Sequence, residues 1–195
     1  MYVKETGVCF NTSLDIGKFG YCIEIDEYGV NVDIKELVKQ AEHFHRIIIK
    51  GEEPFKQRDE LAKFIKKVSK LNPYTMFEIH TNGTMRPLGI QSLNNIIYYV
   101  NLQLKSSNKS YEDRIKNQVI VWYNELYANF VFMIKSDDDF DDIEMLVQEF
   151  AIRKSQVIII PHPDVKYYKE TLNAILNFVK IRGYNYSLDI ERLKE

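Results

Sequence analysis

The sequence is poor in several residue types and patterns, and each scarcity excludes a class of protein. It has two cysteines, Cys9 and Cys22, in 195 residues, too few for a disulfide framework or an all-cysteine metal site. No apolar run approaches the roughly 20 residues of a membrane span, and no apolar signal core follows Met1. The 26 basic and 28 acidic residues nearly cancel, so a general nucleic-acid or anionic-membrane surface is not expected. We therefore expect a cytoplasmic protein.

The composition that remains is typical of one globular domain. Hydrophobic residues make up 45% of the chain and charged residues 28%, which are ordinary globular proportions. A chain of this length buries a substantial core, and no linker, repeat or low-complexity segment divides it. We expect a single domain over residues 1–195.

Short apolar runs recur along the chain, separated by amphipathic stretches. This alternation predicts βα units on a parallel sheet. Six units fall short of the eight-unit barrel of about 250 residues. We therefore expect an α/β fold, a partial (β/α)6 TIM-like barrel with parallel strands and outer helices, or else a doubly wound sheet. The predicted strands are residues 21–25 (or the earlier 3–10), 47–49, 76–79, 96–104, 130–134 and 157–160.

Helix start and stop signals lie between these runs. Asn72 and Pro73 are expected to stop the helix that carries residues 61–68. Gly183 is expected to end the last long helix. Residues 88–95 are predicted as a short helix or a turn. Four polar residues are placed to cap helix N-termini: Asp33, Ser110 (opening a helix through residue 126), Asp139 and Asp164.

Polar loops follow the predicted strands. Because the carboxyl ends of parallel strands meet at one rim, the loops that follow them are where such folds place ligands. Lys105 follows the fourth strand, and residues 135–139 follow the fifth. The loop after 47–49 contains Gly51, Glu52, Glu53 and Pro54, and the loop after 76–79 contains His80, Thr81, Asn82, Gly83 and Thr84.

The order of these two loops resembles the radical S-adenosylmethionine (radical SAM) superfamily. There one strand ends in a Gly-Gly-Glu-Pro turn and the next in Thr-Asn-Gly-Thr. The likeness is greatest to 7-carboxy-7-deazaguanine synthase, of queuosine-type deazapurine synthesis, with the small glycyl-radical activating enzymes second. It covers roughly residue 47 to the C-terminus. The resemblance implies that SAM is bound at these positions: Gly51, Glu52, Glu53, Pro54, Thr81, Asn82, Gly83 and Lys105.

The resemblance also implies a role for each position. In the family the first turn binds the methionyl ammonium of SAM through backbone carbonyls and the glutamate, because an ammonium has three donors and no acceptor. Gly51, Glu53 and Pro54 match that pattern, whereas Glu52 replaces the second glycine. Asn82 and Gly83 are expected near the methionyl or ribose part. Lys105 is expected near a carboxylate of SAM or substrate.

The chain departs from the family at its iron–sulfur cluster. Radical SAM chemistry depends on three cysteines, in Cys-x3-Cys-x2-Cys or a close variant, that hold a [4Fe–4S] cluster. Cys9 and Cys22 are the only cysteines in the sequence. We therefore expect residues 1–30 to be a degenerate cluster-loop region, with no metal held by the two cysteines.

The expected function is binding of SAM, or of a purine- or nucleoside-like ligand, without cluster-based radical chemistry, as a homodimer or with a protein partner. One alternative is an active radical SAM enzyme, a deazapurine synthase or glycyl-radical activase, with an atypical or intersubunit cluster; a symmetric dimer would supply four thiolates. Another is an unrelated α/β enzyme that binds a divalent metal through residues 51–53, Asp137 and Asp138.

Overall fold

The computed structural model describes residues 1–9 and 19–188, which form two compact units, residues 1–9 with 19–99 and residues 100–188. The first contains β1 (Tyr2–Cys9), β2 (Gly20–Ile25), β3 (Val30–Asn31), α1 (Ile34–Ala41), β4 (Arg46–Gly51), α2 (Arg58–Leu71) and β5 (Met76–Thr81). Strand β6 (Ile96–Leu102) runs from the first unit into the second. The second contains α3 (Tyr111–Arg114), α4 (Asn117–Glu125), β7 (Asn129–Ile134), α5 (Asp138–Glu149), β8 (Val157–Pro161), α6 (Tyr168–Arg182) and β9 (Asn185–Tyr186).

The sheet of the first unit has the strand order β3-β1-β2-β4-β5. Strands β2, β4 and β5 are parallel, as the alternation of strands and helices predicts. Both candidates for the first strand are present, since β1 and β2 pair as antiparallel neighbours, and β2 is the one that joins the parallel strands. Phe10, the last residue of the predicted strand 3–10, lies outside the described residues.

The two faces of this sheet differ. Side chains alternate between faces along a strand, so Tyr21, Ile23 and Ile25 of β2 share one face with Ile47 and Ile49 of β4. All five are buried. The Tyr21 hydroxyl donates to Gln40 Oε1 of α1 at 2.7 Å, which shows that this is the helix-covered face. The opposite face carries most of the polar residues of these strands.

Two strands of the second unit, β7 and β8, are apolar on both faces. Strands β7 and β8 are parallel neighbours, and β9 pairs in parallel with β8. Phe130, Val131 and Phe132, consecutive in β7, are all fully buried. A strand with two buried faces has a continuous apolar sequence, which explains why the position of β7 was predicted well. The predicted α/β class with parallel strands alternating with helices is confirmed.

Several helix signals act as predicted. Asp33 caps α1, where its Oδ1 accepts from the backbone N–H of Lys35 at 2.7 Å. Ser110 caps α3 by accepting from the backbone N–H of Asp113 at 3.2 Å. Helix α2 ends at Leu71, and Gly183 follows α6 in the left-handed conformation. Within residues 1–9 and 19–188, no helix has the length and apolar character needed to cross a membrane.

Two predicted caps are wrong. Helix α5 begins one residue before Asp139, which is fully buried and accepts from the backbone N–H groups of Lys135 and Ser136 at 2.8 and 3.0 Å. Its carboxylate therefore secures the preceding turn. Helix α6 begins at Tyr168, not after Asp164, whose own N–H donates to His162 Nδ1 at 3.1 Å.

One other segment differs from expectation in detail. The single helix expected from Ser110 to residue 126 is two helices, α3 and α4, because Ile115 has extended backbone angles between them. Residues 88–95 form turns, one of the two structures predicted for them. The break between α3 and α4 moves no strand, so the predicted order of strands holds.

Candidate functional site

The two turns that carry the family resemblance meet at one carboxylate. Glu53 Oε2 accepts from Thr81 Oγ1 at 2.6 Å and from the backbone N–H of Asn82 at 3.2 Å. Its Oε1 accepts from the backbone N–H of Phe55 at 3.0 Å, at the start of a short 3₁₀ turn. The side chain is 4% exposed. The turn after β4 and the turn after β5 are thus joined directly.

Gly51 is required by the backbone at the end of β4. Its φ is +146°, a conformation that side-chain-bearing residues rarely adopt. A Cβ placed on it would lie 2.1 Å from the carbonyl oxygen of Ile25, the residue paired with it in β2. The glycine therefore allows β2 and β4 to stay paired up to the point where the turn begins.

The turn after β5 is held by its own side chains. Thr81 is buried, and its Oγ1 accepts from the backbone N–H of Gly83 at 3.1 Å while donating to Glu53. Asn82 Oδ1 accepts from the Thr84 hydroxyl at 2.6 Å and from its N–H at 3.0 Å. Gly83 has a φ of +74°, which completes a tight bend. The sequence Thr-Asn-Gly-Thr thus forms a rigid bend.

A cavity of about 210 Å³ lies beside this junction. It is lined by residues of the loop after β2 and of the turn after β4: Ile25, Asp26, Glu27, Tyr28, Glu52, Glu53, Lys56 and Gln57. Glu52 is exposed, and its carboxylate lies 3.7 Å from Lys56 Nζ, which is also 3.5 Å from Glu27. Four carboxylates against one ammonium make the lining acidic, which suits a cationic group.

The electrostatics of Glu53 are set by burial. Burial raises the pKa of its carboxyl above the ordinary value, although the hydrogen bonds from Thr81, Phe55 and Asn82 oppose the shift. A carboxylate offers about four lone-pair sites, and three are occupied by protein donors. Glu53 has room for one further hydrogen bond, so its first role is to position the two turns.

Lys105 lies in the second unit. Its backbone N–H donates to Asp142 Oδ2 at 3.0 Å, and its exposed ammonium lies 4.0 Å from Asp142 Oδ1. Asp142 is fully buried and also forms a two-bond ion pair with Arg114, at 2.6 and 3.0 Å. These contacts tie the turn after β6 to α5, so the described contacts of Lys105 belong to the scaffold.

The polar face of the first unit was not predicted from the sequence. On β4 and β5, Arg46 and Glu78 form a buried ion pair on the face opposite the helices. Lys50 lies on the same face and is 3.1 Å from Glu24 of β2. A polar face could have been predicted from the polar residues at alternate positions of β4, Arg46 and Lys50, but the three consecutive isoleucines between them favoured a strand that is apolar on both faces.

His80 belongs to this polar face. Its ring stacks on Tyr99 with centroids 5.0 Å apart, and its buried Nε2 has no hydrogen-bond partner among the described residues. Burial lowers the pKa of His80 to about 4, and the positive charges of Lys50 and Arg46 act in the same direction. The ring is therefore neutral at physiological pH.

The two cysteines do not fit a [4Fe–4S] cluster. They lie in β1 and β2, before the loop 26–33 that follows the first parallel strand and contains no cysteine. Burial raises the pKa of Cys22 to about 11 and also raises that of Cys9, so both are thiols unless a metal displaces their protons, and two thiolates are one fewer than the cluster needs. We therefore assign no step of a reaction to such a cluster.

A divalent-metal site finds no support in the described side chains. In residues 1–9 and 19–188, no group of three or more His, Cys, Asp or Glu side chains is arranged to hold a metal ion. Asp137 and Asp138 lie in the second unit, at the start of α5.

Parallel strands alternating with helices, and polar turns at the strand ends, define an α/β fold. Among solved structures, the chain is similar to SuiB of Streptococcus suis, crystallised bound to S-adenosylmethionine, with a TM-score of 0.52 and 14% identity. The match covers 74% of this chain and 38% of SuiB, so the chain spans well under half of that protein. No family model and no curated protein matches. At this identity the likeness shows the fold alone.

Proposed function

We propose that this protein binds SAM, or a related nucleoside-like ligand with a cationic group, in the acidic cavity beside Glu53, without cluster-based radical chemistry. The observation that carries the proposal is the junction of the two turns. Glu53 joins the turn after β4 to Thr81 and Asn82, the two segments whose order resembles the SAM-binding turns of the radical SAM superfamily. The fold likeness to SAM-bound SuiB supports the same ligand.

The charges of the cavity are complementary to SAM. The ligand carries an ammonium, a sulfonium and a carboxylate, and the ammonium needs converging acceptors. Glu52 is exposed at the cavity and free to turn toward a ligand, while Glu53 offers one remaining acceptor site. Lys56, which already lies among carboxylates, is the cation available for the ligand's carboxylate. Glu52, which replaces the second glycine of the family's turn, thus accepts a hydrogen bond directly from the ligand's ammonium.

The narrower identity of the ligand rests on the order of the two motifs. The likeness of these turns to those of 7-carboxy-7-deazaguanine synthase supports a purine- or deazapurine-like ligand, bound as such or as the adenosyl part of SAM. The proposal does not extend to the activity of the longer SuiB, because this chain corresponds to 38% of it.

Calorimetry with three ligands tests the proposal. SAM is compared with S-adenosylhomocysteine, which lacks the sulfonium charge, and with methionine, which lacks the nucleoside. We expect SAM to bind most tightly. Glu53→Gln removes one charge at the junction and should weaken SAM binding by about tenfold or more, or ~1.4 kcal/mol.

The matched control is Asp59→Asn, which removes one exposed carboxylate from α2 outside the cavity lining. It should bind SAM like the unmodified protein. Thermal unfolding of each variant establishes that it is folded under the assay conditions. Failure of the folded, unmodified protein to bind SAM would refute the proposal, and so would equal binding by a folded Glu53→Gln variant. A stable brown species after anaerobic iron and sulfide reconstitution would refute the claim that no cluster is held.

A further inference from the structure

Each cysteine of this protein lies opposite a glycine. In the antiparallel pairing of β1 with β2, Cys9 is paired with Gly20 and Gly7 is paired with Cys22. All four residues lie on the same face of the hairpin, because cross-strand partners share a face and so do residues two apart. The two thiols are therefore diagonal neighbours, and the two other corners of the square carry no side chain.

The space over the thiols is open on the Gly7 side, whereas a Cβ at Gly20 would lie 2.7 Å from Ile48 Cδ1. The Cys22 thiol hydrogen bonds to Cys9, and the Cys9 thiol donates to the carbonyl oxygen of Gly20 at 3.5 Å. A cavity of about 140 Å³ lies over them, lined by both cysteines and by Glu5, Thr6, Gly7, Val8, Glu24 and Lys50. A Cβ added to Gly7 would meet no heavy atom within 4 Å. Gly7 thus keeps the approach to both sulfurs clear.

The diagonal arrangement disfavours a disulfide. A disulfide needs Cβ atoms about 3.5–4.5 Å apart and an S–S bond of about 2.05 Å. Diagonal residues of an antiparallel pair are about 7–8 Å apart, with their Cβ atoms somewhat closer. A metal between two thiolates separates the sulfurs much more, since each metal–sulfur bond is about 2.3 Å long. The spacing of Cys9 and Cys22 therefore suits a bridging ion.

The charges around the pair include one that favours a thiolate. Burial raises the pKa of Cys22 to about 11, whereas Lys50, which faces Cys22, acts in the opposite direction. Glu24 lies between two ammonium groups, 2.6 Å from Lys4 and 3.1 Å from Lys50. Glu5, opposite Glu24 in the hairpin, is exposed to solvent. Lys50 therefore places a positive charge beside a complex of single negative charge.

We propose that Cys9 and Cys22 form a two-coordinate site for a soft monovalent cation, Cu(I). Thiolates are the ligands that Cu(I) prefers among protein side chains. Binding converts two thiols and one Cu(I) into a bis-thiolate complex of charge −1 and releases two protons, with no change in oxidation state. The site uses two ligands only, both of them thiolates.

Anaerobic competition against bicinchoninate, a chromogenic Cu(I) chelator, tests the site with Cu(I) as the probe. The reduced protein should withdraw one Cu(I) per chain from the chelator. Both thiols should lose reactivity toward Ellman's reagent together at one equivalent. Cys9→Ser and Cys22→Ser should each leave the Cu(I) with the chelator. Gel filtration of the loaded protein should show no metal-dependent change in size.

A second variant separates geometry from thiol count. Gly7→Leu places a side chain in the open corner of the square, so it should lose Cu(I) while both thiols still react with Ellman's reagent. Circular dichroism establishes that each variant is folded. Full Cu(I) retention by either serine variant overturns the proposal, as does one metal shared by two chains. Formation of a Cys9–Cys22 disulfide on exposure to oxidised glutathione, with no Cu(I) uptake by the reduced form, also overturns it.

Discussion

The strands of the two units differ in what their faces carry. In the first unit, β2, β4 and β5 place an apolar face against the helices and a polar one opposite, with Arg46, Glu78 and His80 on it. In the second unit, β7 and β8 are apolar on both faces, and the buried charges Arg114 and Asp142 lie on helices.

This difference favours the first unit as the place of the proposed sites. Burying charged and ionisable groups on strands costs free energy that an apolar face avoids. Strands β7 and β8 show that this chain can build strands that are apolar on both faces. The acidic cavity and the cysteine pair, for which functions are proposed above, both belong to the first unit.

The largest effect is expected from breaking the two buried ion pairs. Glu78→Gln and Asp142→Asn each remove the negative charge that faces a buried arginine, so each should lower the free energy of unfolding by about 3 to 5 kcal/mol. Urea denaturation measures both.

Replacing both partners should then distinguish the units. Arg46→Met with Glu78→Leu removes two charges from the first unit and should recover most of the loss. Arg114→Met with Asp142→Leu should not, because the N–H of Lys105 and the carbonyl of Gln103 lose their partners as well. Equal recovery in the two units would remove the contrast between the two ion pairs.

A smaller effect is expected from pH, through His80. Its folded pKa of about 4 lies below the ordinary 6.5, so the unfolded chain binds a proton that the folded one does not. The contribution of His80 to the free energy of unfolding is therefore fully present above pH 6.5. It decreases as the pH falls toward 4, by up to about 3 kcal/mol in total.

His80→Phe retains a ring to stack on Tyr99 and cannot ionise. Urea midpoints measured between pH 7.5 and 4.5 should therefore fall less steeply for this variant than for the unmodified protein. Parallel curves would mean that His80 does not govern the acid sensitivity of the first unit.

The smallest effects compare one glycine from each unit. Gly51→Ala forces a strained φ and a contact with the Ile25 carbonyl, and should cost about 2 kcal/mol. Gly183→Ala, at the end of α6, meets only Lys154 Cδ at 3.9 Å and should cost about 1 kcal/mol. Thermal unfolding measures both. A smaller loss for Gly51→Ala than for Gly183→Ala would contradict the strain assigned to Gly51.

Sequence patterns predicted the parallel strands well and the polar face poorly. Buried strands such as β7 and β8 appear as continuous apolar runs, so their positions were predicted to within one residue. Strand β1 pairs antiparallel with both β2 and β3, and its apolar residues alternate less clearly, so the sequence offered both β1 and β2 as the first strand. The buried pair of Arg46 and Glu78 depends on residues 32 apart in sequence, which no local pattern reveals.

The candidate site was predicted by order and residue type, while the contacts required the structure. The Gly51 and Asn82 turns were expected at neighbouring strand ends, and Glu53 does join them. The caps at Asp139 and Asp164 failed because a cap signal is identical to a turn signal in sequence. In the fold, Asp139 is buried and secures the turn before α5.

The three hydrogen bonds that Glu53 accepts should also affect the rate of amide hydrogen exchange. The amide hydrogens of Phe55 and Asn82, 27 positions apart, are held by the same side chain. Neither amide can exchange with solvent until its hydrogen bond to the carboxylate breaks. The amides of Phe55 and Asn82 should therefore exchange with deuterium in the same opening event, which couples the motions of the two turns.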